Sequence, residues 1–185
     1  MLIYPATHSS CSVTDSMTET SVRTHTKADY VWTTIRIALG WVFLWAFLDK
    51  LLGLGFATTR ANAWINGGSP TFGFLSFGTA GPFAGIFQAM AGNTVVDWLF
   101  MLGMLGIGVS LILGVAVRIG AYAGIAMMAL MFLATLLPEN NPIIDDHIVY
   151  AVALYGVAVT RHTQALSLER AWANLPVVRN HPALQ

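Results

Sequence analysis

Residues 98–117 read WLFMLGMLGIGVSLILGVAV and residues 119–137 read IGAYAGIAMMALMFLATLL, two apolar runs parted only by Arg118. Within them 20 and 19 consecutive residues carry no charge. A helix rising about 1.5 Å per residue needs about 20 such residues to cross the hydrocarbon core of a bilayer, so both runs read as membrane spans. The whole chain agrees. Of its 185 residues, 56% are apolar and 10% charged. A soluble domain carries roughly 25% charged residues, and the deficit leaves too few ionic side chains to cover a water-facing surface. Zero net charge and 21 aromatic residues exclude a basic nucleic-acid binder and a disordered chain. A single cysteine, Cys11, excludes a disulfide scaffold.

Two further spans are shorter between charges. Twelve uncharged residues separate Arg36 from Asp49, and 13 separate His147 from Arg161. Extended to about 31–53 and 143–161, both cross if their end charges lie near the head groups. Arg36 sits about 9 Å from the middle of its span by helical rise and is expected to snorkel to the interface. The expected fold is an all-α integral membrane protein, a four-transmembrane-helix bundle with spans at about 31–53, 94–117, 119–137 and 143–161. A long aromatic outer loop containing short helices joins the first two spans. Residues 1–29 read as a flexible tail, 30–162 as the membrane domain and 163–185 as an amphipathic tail. Met17 offers a second start, since nothing before it carries a pattern.

Basic residues orient the chain. With a cytoplasmic N-terminus, Arg23, Lys27, Arg118, Arg161, Arg170 and Arg179 lie inside and only Lys50 and Arg60 outside. Both termini are therefore expected in the cytoplasm. The outer ends then gather Asp49, Asp97, Glu139, Asp145, Asp146 and His147. In the connecting loop, Pro82 is expected to open a short helix with Phe83, Ile86, Phe87 and Met90 on one face, closed by Gly92. Small-residue stripes at Gly106, Ser110 and Gly114, and at Ala116, Gly120 and Gly124, predict tight packing of the second span on the third. The methionines of these spans read as filler. Leu168, Trp172 and Leu175 predict a short amphipathic helix, ended by Pro176 and lying on the cytoplasmic leaflet.

Several chemistries are excluded by residue type. Only His147 lies near a span, so a haem held by two embedded histidines is not expected, nor is an iron–sulfur cluster on one cysteine. No glycine-rich nucleotide fingerprint occurs. Electrons, if handled, require a diffusible carrier such as a quinone. Ionisable groups in a bilayer are functional candidates. Asp97, Asp146 and His147 are assigned to proton handling, with either Asp145 or Asp146 as the partner of the imidazole. Helix capping is the competing explanation for the carboxylates at span starts. Asp49, Lys50 and Arg60 would attract an anionic substrate. Trp64, Asn66, Glu139 and Asn140 would line its site. No metal site is expected.

Three blocks resemble DoxX/DoxD-type membrane proteins. They are Arg36-Ile37-Ala38-Leu39-Gly40-Trp41-Val42-Phe43-Leu44-Trp45 with Asp49-Lys50, Trp64-Ile65-Asn66-Gly67-Gly68-Ser69-Pro70-Thr71 with Gly73-Phe74-Leu75, and Pro138-Glu139-Asn140-Asn141-Pro142 with Asp145-Asp146-His147. The resemblance implies a four-span bundle akin to the membrane subunit of thiosulfate:quinone oxidoreductase, which passes electrons from sulfur compounds to a membrane quinone. It also implies a second subunit, since the 24 residues after Arg161 are too short to be the soluble part. A second copy of the chain is a further candidate partner, and nucleic acid is not one. A non-catalytic scaffold anchoring a redox or stress-defence enzyme is the alternative. A small-solute transporter fits less well, with no internal repeat or broken span.

Overall fold

In the computed structural model, residues 25–136, 141 and 143–180 are described. Among them every regular element is helical, apart from one isolated parallel bridge between Ala80 and Thr135. Helix α1 spans Lys27–Leu52, α2 Ala84–Gln88, α3 Thr94–Leu113, α4 Val117–Ala134, α5 Asp146–Thr160, α6 Glu169–Ala173 and α7 Pro176–Asn180. Three of these, α1, α3 and α4, are long and apolar enough to cross a membrane by length and composition. They place the chain in a bilayer environment. With 15 residues, α5 runs about 22 Å, short of the roughly 30 Å core.

Local chemistry sets the helix ends. Thr26 and Asp29 form a capping box that starts α1 at Lys27, and Gly53 in the left-handed conformation stops it. Asn93 accepts from the Val95 amide at 2.9 Å to open α3. Gly114 at φ 68° closes α3, and Ala116 at φ 49° turns the chain into α4. The uncharged run 98–117 therefore extends past the end of α3, because apolar residues occupy the turn as well. Residues 1–24, with Cys11 and Met17, and the expected site residues Glu139 and Asn140 lie outside the described residues.

The four longer helices pack in a closed ring, α1 on α3, α3 on α4, α4 on α5 and α5 back on α1. Leu39 and Phe43 meet Met101, Met104, Ile107 and Leu154 in the core. The expected packing of α3 on α4 is present, and the pairings of α1 with α3 and α4 with α5 are more extensive. A side chain on Gly108 would lie 2.9 Å from the Leu44 nitrogen, and one on Gly156 2.2 Å from the Trp32 ring. Of the expected stripes, Gly120 does leave room for Ser110 of α3, but Gly106 faces open space and Gly124 receives Leu154 of α5 as well as Ile107 of α3. Spacing showed which residues were small without showing which neighbour each one meets.

Arg36 departs furthest from expectation. It is fully buried rather than snorkelled. The chain after α5 folds back over it, and its Nη2 donates to the carbonyls of Leu166 at 2.8 Å and Ala165 at 3.4 Å. Thr33 and Ser167 fasten the same strap, through the Ala165 amide at 2.9 Å and the Gly114 carbonyl at 2.9 Å. Beyond it, α6 stops at Ala173 before Pro176 as expected, and Pro176 then begins α7, because a missing amide hydrogen costs nothing at a first helical position.

Candidate functional site

The connection from α1 to α3 is folded by two buried carboxylates. Asp49 accepts from the amides of Phe56 at 3.3 Å and Ala57 at 3.0 Å, drawing the loop start onto the end of α1. Asp97, one turn into α3, accepts on a single oxygen from the Ser69 hydroxyl at 2.9 Å, the Thr71 amide at 3.2 Å and the Thr71 hydroxyl at 2.5 Å. Between these staples run short turns over Arg60–Asn62 and Trp64–Asn66. Asn66 donates to the Arg60 carbonyl at 2.7 Å, and Trp64 meets Trp98 edge to face with centroids 4.6 Å apart. Gly68 approaches the Asn62 backbone so closely that a Cβ would lie 2.2 Å from its carbonyl oxygen. A π-helical turn at Phe74–Gly78 and then α2 complete the loop.

Beneath this loop, between α3 and α4, lies a cavity of about 620 Å³. Its walls include Val96, Leu99 and Phe100 of α3 and Ala123, Met127, Leu130 and Met131 of α4. Phe74, Leu75, Phe87 and Met90 form the roof. Only Lys50 and Thr71 bring polar side chains to it. Thr71 thus touches the cavity and hydrogen-bonds Asp97 behind it. This volume falls within the roughly 300–1,000 Å³ of small-molecule sites, which are largely apolar with a few placed polar groups.

The sequence-predicted residues divide into three groups. Lys50 lines the cavity, and Asp97 reaches it through Thr71. Asp49, Arg60, Trp64 and Asn66 lie in or beside the loop without lining the cavity. The third group is at the start of α5. His147 pairs through Nδ1 with Asp145 Oδ2 at 2.6 Å, whereas Asp146 is exposed. Asp145 precedes the helix and caps it, its other oxygen accepting from the amides of His147 and Ile148. Burial pushes the Asp145 carboxyl up, but its hydrogen bonds with His147 and Ile148 outweigh this and hold it below the usual carboxylate range. Neither Asp145 nor His147 lines the cavity.

Thr71 was missed, because one hydroxyl in a Ser-Pro-Thr turn has no periodic signal. Met127 and Met131, read as filler, pack against the core and also line the cavity.

Fold and site define a class, a helical membrane protein with an apolar cavity backed by a buried carboxylate. Compared with known proteins, the chain matches no family model, no curated protein and no solved structure.

Proposed function

We propose that the chain is a DoxX/DoxD-like membrane subunit of a quinone-linked oxidoreductase, with α5 as a fourth span and both termini in the cytoplasm of an inner-membrane protein. The observation that carries this reading is the pairing of an apolar cavity with the Thr71–Asp97 hydrogen bond. A quinone takes up protons as it takes up electrons. Its ring and isoprenoid tail fit an apolar slot between two spans, and its oxygen needs a proton source behind a hydroxyl. Asp97 supplies the proton, Thr71 relays it by turning its own hydroxyl hydrogen to the quinone oxygen as it accepts the carboxyl proton, and the Lys50 ammonium steadies the charge that develops on the quinone oxygen. The electrons come from thiosulfate or a related sulfur compound through a second subunit.

The test is reduction of a soluble quinone analogue by thiosulfate, using the purified chain with its co-purifying partner. The expected result is reduction that falls at least about 100-fold in Asp97→Asn and Thr71→Val, on the scale of a lost proton-transfer group. Absence of reduction by the folded, partnered protein overturns it.

A scaffold role is the second reading, and one observation favours it. Asp49 and Asp97 both accept loop hydrogen bonds, as carboxylates retained purely for folding would. A scaffold would keep its partner bound after Asp97→Asn, and loss of α6 and α7 would release it.

A further inference from the structure

We infer that the cavity between α3 and α4 selects a single-chain amphiphile with a carboxylate head, and that Lys50 is the selecting group. Lys50 is half-buried on the cavity wall. Among the described residues no ion pair or hydrogen bond holds its ammonium. Its neighbour Asp49 exerts attraction, but both oxygens of that carboxylate are taken by the Phe56 and Ala57 amides. A cation facing an apolar space without a partner is costly, and a carboxylate head removes that cost through a charge-assisted bond.

The second polar lining group sharpens the choice. In the resting arrangement the Thr71 hydroxyl hydrogen is committed to Asp97, so Thr71 offers a bound head group no donor. One cation and no second donor match a monoanion better than a phosphate, which asks for several donors. The rest of the surface is hydrocarbon and thioether. Met127 and Met131 are unbranched and adapt to a flexible chain.

Access is lateral. Leu99 and Leu130 line the cavity, yet are 68% and 56% exposed on the apolar outside of the helices, where lipid lies. A chain can slide in between α3 and α4 from the bilayer while its head stays near Lys50, close to the end of α1. At about 620 Å³ the space suits one chain and not the two of a phospholipid. The amphiphile would occupy the space of the quinone and exclude it, so this inference survives the failure of the quinone reading and concerns binding alone.

The experiment uses the full chain in nanodiscs of zwitterionic lipid, titrated with a fluorescent polyene fatty acid and separately with its methyl ester. Empty nanodiscs supply the background. The expected result is saturable binding of the acid with a Kd about tenfold or more below that of the ester, about 1.4 kcal/mol. Lys50→Met should abolish the difference, Lys50→Arg should keep it, and Ala126→Trp should fill the space and weaken both ligands. Equal binding of acid and ester by the unaltered chain, or no saturable binding of either, overturns the inference without any variant being needed. So does an acid preference that persists in folded Lys50→Met.

Discussion

Asp97 collects three hydrogen bonds on one oxygen, and two of the donors, Thr71 N–H and O–H, are buried. Removing the acceptor strands those donors, which costs more than the bonds themselves contribute. Asp97→Ala is therefore expected to destabilise the protein by about 2–4 kcal/mol, for two or more stranded groups, read as a lowered Tm in detergent. Asp97→Asn keeps an acceptor oxygen and should cost less than half as much. A Tm unchanged by Asp97→Ala would mean that the loop is held by other contacts. The Asp145–His147 pair makes a pH prediction. The folded Asp145 carboxyl is held below its ordinary range. Its stabilising contribution is therefore complete above the unfolded value, and is lost as pH falls from about 4 through the lower folded value. Asp145→Asn should flatten the acid limb of the stability curve and leave it unchanged near neutrality apart from a constant offset. An acid limb of equal slope in the variant would count against the pair.

Among elements, the glycines distinguish what spacing can say from what it cannot. Gly106 and Gly108 lie two residues apart on α3, and their surroundings are opposite. A Cβ at Gly106 meets nothing within 4 Å, whereas at Gly108 it meets the Leu44 nitrogen at 2.9 Å and the Gly40 oxygen at 3.1 Å. Gly106→Ala is expected to be neutral or to stabilise by about 0.5–1 kcal/mol through helix propensity. Gly108→Ala must push α1 off α3 and should lower Tm by several degrees. Equal melting of the two variants would refute the α1–α3 pairing. The long apolar runs made α3 and α4 legible, since length and absence of charge are one-dimensional properties. Helix partners were less legible, because small residues mark close approach without naming the neighbour. The loop carboxylates were visible as rare charges near span ends, but their hydrogen-bond donors come from 7 and 8 residues away for Asp49, and from 26 and 28 for Asp97. Only folding reveals such partners.

The molecule as a whole is closed differently at its two ends. One end is roofed by the loop that Asp49 and Asp97 staple down, with the cavity beneath it. The other is crossed by the strap of residues 164–168, with Arg36 inside. A lone cation in an apolar run reads the same in sequence whether it snorkels outward or is buried under a returning tail, so this end was the less legible one. Arg36 leaves Nε and Nη1 without partners, and no carboxylate lies in ion-pair range among the described residues. An apolar side chain of similar size removes that buried charge, and such replacements are often neutral or stabilising. The strap, however, would lose its bonds from Nη2 to Ala165 and Leu166. It also holds Leu166 at φ 51°, an uncommon conformation for a residue with a side chain, which it would then be free to leave. Arg36→Met should therefore separate two properties that usually move together. Tm should shift by no more than a few degrees, while hydrogen exchange over 164–168 accelerates at least about tenfold, the mark of local opening without global unfolding. Unchanged exchange in the variant would show that Thr33 and Ser167 hold the strap alone. Exchange rising equally in α1 and α3 would show instead that Arg36 supports the bundle as a whole.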